Sequence, residues 1–193
     1  MAKQAIFRLG RWMARLLAAV LLAALFGLAV VMAQPQSGLQ EEPVTDQPLK
    51  PYAAAQQLSE ATPLEKLCAD FPVAALVSGS DQLLLQSGVL YDTAFEDGFA
   101  RVLRLEYLYG DTPVTVTGIY PRRAVSLLAD TALELTGQGA SLAGEKTARM
   151  EGEGRLRLQM QTADGLYSVE LPQSAEPELS VILKALRLEE KTE

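Results

Sequence analysis

The 193-residue sequence predicts an α+β domain set behind an N-terminal apolar helix, and three observations carry that reading. Residues 16–32 form an unbroken uncharged run preceded by cations, and residues 34–59 are proline-rich and aperiodic. Further on, Leu103 to Tyr107 and Leu156 to Met160 each alternate with period two, and each is followed by a turn, a second strand pattern, a proline and a helical pattern.

Residues 1–33 hold Lys3, Arg8, Arg11 and Arg15 and no acid, leaving a net −11 on the remainder of a chain whose total is −7. The run LLAAVLLAALFGLAVVM at 16–32 is at the short end of what spans about 30 Å of hydrocarbon. Cations on its N-terminal side only predict that the N-terminus is cytoplasmic and the rest is outside, with Trp12 at the interface and residues 16–32 in membrane lipid. A retained signal anchor is preferred to a cleaved signal peptide, because the run exceeds an ordinary signal h-region; the alternative is cleavage near Ala33 and release. Cys68 is too far downstream to be a lipoprotein cysteine.

From Gln34 to residue 59 the chain contains Pro35, Pro43, Pro48 and Pro51 and few large apolar groups, so it reads as a spacer of roughly 3 Å per residue. Residues 60–190 then make one domain with one core. Thr62-Pro63-Leu64-Glu65 opens a short helix with Thr62 as N-cap, ending before Pro72. Three strands follow near 82–90, 99–109 and 113–120. Pro121 then starts a helix with the stripe Val125, Leu128, Ala129 and Ala132, stopping near Gly137.

Thr147 to Glu151 adds a strand, and a hairpin comes next. A two-residue turn at Asp164-Gly165 places Met160 opposite Val169 and Leu158 opposite Leu171. A final helix from Glu176 to Leu188 carries acids in its first turn, Lys184 and Arg187 in its last, and an apolar stripe of Leu179, Ile182, Leu183 and Leu186. The expected architecture is an antiparallel sheet of about six strands with helices on one face. The two matching stretches allow a duplicated ββα unit.

With no His and one Cys, the chain has no Ser-His-Asp or Cys-His catalysis, no imidazole metal site and no internal disulfide. Gly139 to Thr147 resembles a phosphate-binding loop only until Glu145, which stands where the lysine is needed, so it reads as a helix-to-strand loop. Asp92, Glu96 and Asp97 have the wrong spacing for a calcium loop, and Ser180 with Lys184 forms a Ser-Lys pair with no pocket implied. A carboxylate-dependent hydrolase would need two facing acids in a cleft.

No catalytic residue, metal ligand or cofactor is assigned, and the acidic balance argues against nucleic acid as a partner. Arg155 and Arg157 share a strand face about 7 Å apart, spaced to clamp a phosphate or carboxylate. The aromatics from Tyr91 to Tyr167 are mostly core by periodicity, though several, Tyr91 among them, are placed to line a groove between sheet and helix, and Tyr107 and Tyr109 are the site candidates. The sequence therefore implies a membrane-anchored, extracytoplasmic, non-catalytic module that binds an envelope protein. The alternative is a cleaved, secreted or periplasmic binder of a lipid or other apolar ligand.

Overall fold

A computed structural model describes residues 54–189, which lie within one compact unit, and these residues are dominated by antiparallel sheet. The apolar run at 16–32, the cleavage position near Ala33 and most of the proline-rich spacer lie outside the described residues. Among the described residues no helix is long and apolar enough to cross a membrane.

The elements are β1 (Gln56–Gln57), α1 (Leu64–Asp70), β2 (Ala75–Ser78), β3 (Leu83–Phe95), β4 (Gly98–Tyr109), β5 (Thr112–Tyr120), β6 (Glu134–Gln138), β7 (Thr147–Gly152), β8 (Arg155–Gln161), β9 (Leu166–Pro172), α2 (Leu179–Ala185) and β10 (Leu186–Glu189). Eight strands form one sheet in the order β1-β3-β4-β5-β9-β8-β7-β6, and β10 pairs with β2 separately. The sheet is thus two meanders, β3 to β5 and β6 to β9, joined where β5 and β9 run antiparallel.

The period-two pattern assigns the faces. Leu103, Leu105 and Tyr107 of β4, Val114 and Val116 of β5, Tyr167, Val169 and Leu171 of β9 and Leu156, Leu158 and Met160 of β8 point to one side. There they share the main core with Leu67 and Phe71 from α1 and its C-cap, Leu76 of β2 and Ile182 and Leu183 of α2. Phe71, fully buried, contributes roughly 2 kcal/mol of hydrophobic stabilisation by itself. The opposite side of the sheet holds a smaller cluster in which Val102, Ile119 and Leu166 meet Ala124 and Leu128.

Six expectations are corrected. The sheet has eight strands and a two-stranded annex, not about six strands, because β1, β2, β6 and β10 carry too few residues for a periodic signal.

No α-helix follows Pro121; a single 3₁₀ turn spans Val125–Leu128, after which the chain becomes β6. Continuing as an α-helix would require Ala132 N to donate to the Leu128 carbonyl. That carbonyl instead accepts from Arg157 Nη1 at 2.7 Å, while Ala132 N donates to Asp130 Oδ1 at 3.0 Å. A tertiary bond has taken the carbonyl, and a local side-chain bond has taken the amide. The Gly139 to Thr147 segment accordingly joins two strands, closed by the Leu142–Glu145 bridge.

The last helix is shorter than 176–188. A 3₁₀ stretch, Gln173–Glu178, leads into α2, and the chain then leaves helical geometry at Leu186 to pair with β2. At the first helix Pro63, not Thr62, occupies the N-cap, and Thr62 exchanges backbone bonds with Ser59.

The hairpin register is shifted by two residues. Met160 lies opposite Tyr167 and Leu158 opposite Val169, so both apolar sets still share one face. The turn is Ala163-Asp164, closed by Thr162 N to Gly165 O at 2.9 Å and by Gly165 N donating to the Thr162 hydroxyl at 3.0 Å. Gly165 serves a close approach: a Cβ there would lie 2.7 Å from Tyr167 Oη.

With that register the two hairpins superpose in pairing. Leu105 faces Val116 as Leu158 faces Val169, and Arg104 faces Thr117 as Arg157 faces Glu170. Val116 and Val169 are themselves directly opposite across β5 and β9, so the correspondence runs through the centre of the sheet.

Candidate functional site: a three-rung cleft on the second face of the sheet

Successive pairings across β3, β4, β5, β9 and β8 arrange the second face in rungs. The first is apolar: Tyr91, Val102, Ile119 and Leu166. Two residues along each strand comes Arg104, Thr117, Ser168 and Gln159. Two further comes Glu106, Thr115, Glu170 and Arg157. Directly opposed side chains on such a face have Cβ atoms about 5 Å apart, and adjacent rungs are about 7 Å apart.

The 121–133 segment crosses the apolar end of this face, with Ala124 and Leu128 seated on it and Arg123 standing 5.9 Å from the centre of the Phe95 ring. Between segment and rungs lies a cleft of about 410 Å³, walled by Tyr91, Leu127 and Leu128 and floored by Thr115, Thr117 and Ser168. That volume is within the range of small-ligand pockets, about 300–1,000 Å³. A second cavity of about 520 Å³, bordered by Gln57, Ser87 and Val89, shares Tyr91 and Arg104 with the first.

The charges around the cleft are matched. Arg157 donates to Glu170 from Nε at 2.8 Å and lies 2.7 Å from it through Nη2, and it also reaches Asp130 at 3.4 Å. Arg155 holds Asp130 at 3.0 Å and Glu170 at 3.3 Å. Arg104 meets Glu106 at 3.2 Å, and Glu106 accepts from Ser87 at 2.9 Å. The Ala132 amide, followed by Arg155, holds the Asp130 carboxyl below its usual range. Asp130 is therefore an ionised acceptor at neutral pH, the opposite state from that of a general acid.

The hydroxyl row differs. Ser168 is 3% exposed, and its hydroxyl opens on the cleft with no hydrogen-bond partner among the described residues. Thr115 and Thr117 likewise present hydroxyls to the cleft without a protein partner among the described residues.

The four residues proposed from the sequence do not converge. Arg155 and Arg157 do share a face and do clamp carboxylates, but those carboxylates are Asp130 and Glu170 of the same chain. Tyr107 and Tyr109 belong to the opposite side of the sheet. Tyr107 is buried, its hydroxyl accepts from Ser78 N at 3.3 Å, and burial pushes its pKa up to about 12. Tyr109 packs at the margin of the same core.

Ser168, Thr115, Thr117 and Arg104 were missed as site residues. The signal for them was the alternation in PVTVTGIY, which puts Thr115 and Thr117 on the face away from Val114 and Val116, and the matching LRL triplets, which make Arg104 the counterpart of Arg157.

Elsewhere, Asp92 is engaged by Arg101 at 2.8 Å, while Glu96 and Asp97 form the β3–β4 turn, and no group of metal-ligating side chains occurs among the described residues. Ser180 and Lys184 are exposed on α2, beside the 140–144 loop.

No protein-family model matches this chain, and no curated protein or solved structure matches it. The fold and cleft define a sheet-rich domain with a small polar cavity.

Proposed function

We propose that this chain is a membrane-anchored, extracytoplasmic, non-catalytic binding module whose antiparallel sheet offers the three-rung cleft to a polar ligand or to a polar group of an envelope partner. The observation that carries the reading is the Ser168 hydroxyl, which opens on the floor of the cavity without a hydrogen-bond partner among the described residues while the charged side chains around it are already satisfied. These hydroxyls can bond a bound molecule without giving up a protein bond, so the row is where a polar ligand gains most. The anchoring half of the proposal rests on the apolar run at 16–32 and the cations before it. The polar floor weighs against an apolar ligand. The tyrosines suited to hold one, Tyr107 and Tyr109, are used in packing against Leu67, Phe71 and their neighbours. The matched hairpins also support a duplicated ββ unit whose third member became a 3₁₀ turn in one copy and the path into α2 in the other.

Protease added to intact spheroplasts tests the placement: cleavage within the 34–59 spacer is expected, and full protection would overturn it. Turnover of a peptide, ester or glycan by the full chain would overturn the non-catalytic assignment.

A further inference from the structure

Building on the cleft reading above, we propose that the ligand class of this site is a neutral polyhydroxylated molecule, a saccharide segment without ionised groups.

Three features of the site converge on that class. The first is charge balance. An incoming phosphate or carboxylate would have to displace Glu170 or Asp130 from Arg157 and Arg155, exchanging one carboxylate–guanidinium contact for another in a domain that is already acidic. A neutral ligand pays no such exchange.

The second is the hydroxyl row. Thr117 lies directly opposite Ser168, and Thr115 is the next residue on that face of β5. Each hydroxyl is one donor and two acceptors whose hydrogen can rotate to suit. Side chains that both give and accept match a ligand built of hydroxyls, where an amine or an oxyanion would use only half of their capacity. Arg104 and Gln159, at the two ends of the same rung, add planar donors at its margins.

The third is the apolar rung beside the row. Tyr91, Val102 and Ile119, with Leu127 above, give a C–H-rich surface next to the hydroxyls. A pyranose has the same division, with apolar ring faces and a hydroxylated rim, so one molecule can satisfy adjacent rungs about 7 Å apart. The cavity beside Gln57 and Ser87, which shares Tyr91 and Arg104 with the cleft, provides adjoining space for a further ring.

The test uses the full chain in detergent on an array of neutral and acidic glycans. It is followed by amide shift mapping with the best neutral oligosaccharide, with glucuronate and with inorganic phosphate. The expected result is binding of neutral glycans, shifts at Thr117 and Ser168, and about ten-fold weaker binding in Thr117→Val and in Ser168→Ala, with urea midpoints showing that both variants fold. If glucuronate or phosphate alone moves these amides, the ligand class is wrong and the cleft reading survives. If none of the three probes moves them and no glycan binds, both fall. Equal binding by the two variants and the parent chain would place the glycan elsewhere and overturn the inference.

Discussion

Arg157 lies directly opposite Glu170 across β8 and β9, holding its carboxylate at 2.7 Å while a second guanidinium nitrogen donates to the Leu128 carbonyl. One side chain therefore closes the charged rung and fastens the 121–133 segment over the apolar rung. Replacing it leaves the buried Leu128 carbonyl without its donor and Glu170 with Arg155 alone. Arg157→Met is expected to destabilise the domain by roughly 2 kcal/mol and to speed amide exchange at Leu128 to Ala132. Arg157→Lys is expected to recover little, since an ammonium cannot reproduce the fork. Urea unfolding and hydrogen exchange of the two variants check this.

The Asp92–Arg101 pair is the most enclosed ion pair described, at 4% and 9% side-chain exposure. Removing one partner takes this ion pair from a buried charge, whereas removing both takes away the buried charges themselves. Asp92→Asn is expected to cost about 3 kcal/mol, and Asp92→Leu with Arg101→Met much less than the sum of the single changes. A double-mutant cycle in urea measures the difference.

Stability should fall at both ends of the pH range, for opposite reasons. Asp130 and Glu151 have folded-state pKa values lowered chiefly by the Ala132 amide and by Arg149 respectively. Their contribution is present above the ordinary carboxylate range and is lost as pH falls through it, below about pH 5. Tyr107 and Tyr167 are raised by burial from 10.0 to about 12. Below pH 10 they are neutral in both states. Above it the unfolded chain releases their protons first, so stability drops between pH 10 and 12. A 295 nm titration should show two late phenols, and Tyr107→Phe should remove one.

Cys68, in α1, packs at the margin of the main core, and burial, with Glu189 and Glu65 nearby, raises its thiol to about 12. A thiol so held is almost wholly protonated at pH 8 and reacts slowly. Ellman's reagent should label it at least ten-fold more slowly in the native chain than in urea.

Gly152 ends β7 alongside the last residues of the 121–133 segment, and a Cβ at that position would stand 1.8 Å from the Ala132 carbonyl oxygen. Backbone cannot yield as a side-chain tip can. Gly152→Ala is expected to cost 2 kcal/mol or about that, a loss visible as a lowered thermal midpoint.

These sites also mark how much was legible in the sequence. The long strands β3, β4, β5, β8 and β9 and the faces of the last four announce themselves through alternation, because half of each strand must be apolar to meet α1 and α2. Arg155 and Arg157 were rightly placed on one face for the same reason. Their partners were not legible: Asp130 reaches them only because the 121–133 segment abandons helical geometry, and that depends on bonds from a strand 27 residues away. β2 and β10, four residues each, are held by pairing with one another and leave no periodic trace. The hydroxyl row was hidden by its ordinariness. Thr and Ser on the outer face of a strand read as solvated until the register aligns Thr117 with Ser168 and a neighbouring segment covers them.

Native mass spectrometry of the full chain extracted from its own membranes tests the central claim most directly, since one spectrum reports both the N-terminus and any bound mass. The account predicts a mass that retains residues 1–33 and carries a polar adduct that Ser168→Ala weakens. A mass beginning near Gln34 with an apolar adduct, indifferent to Ser168, would contradict it.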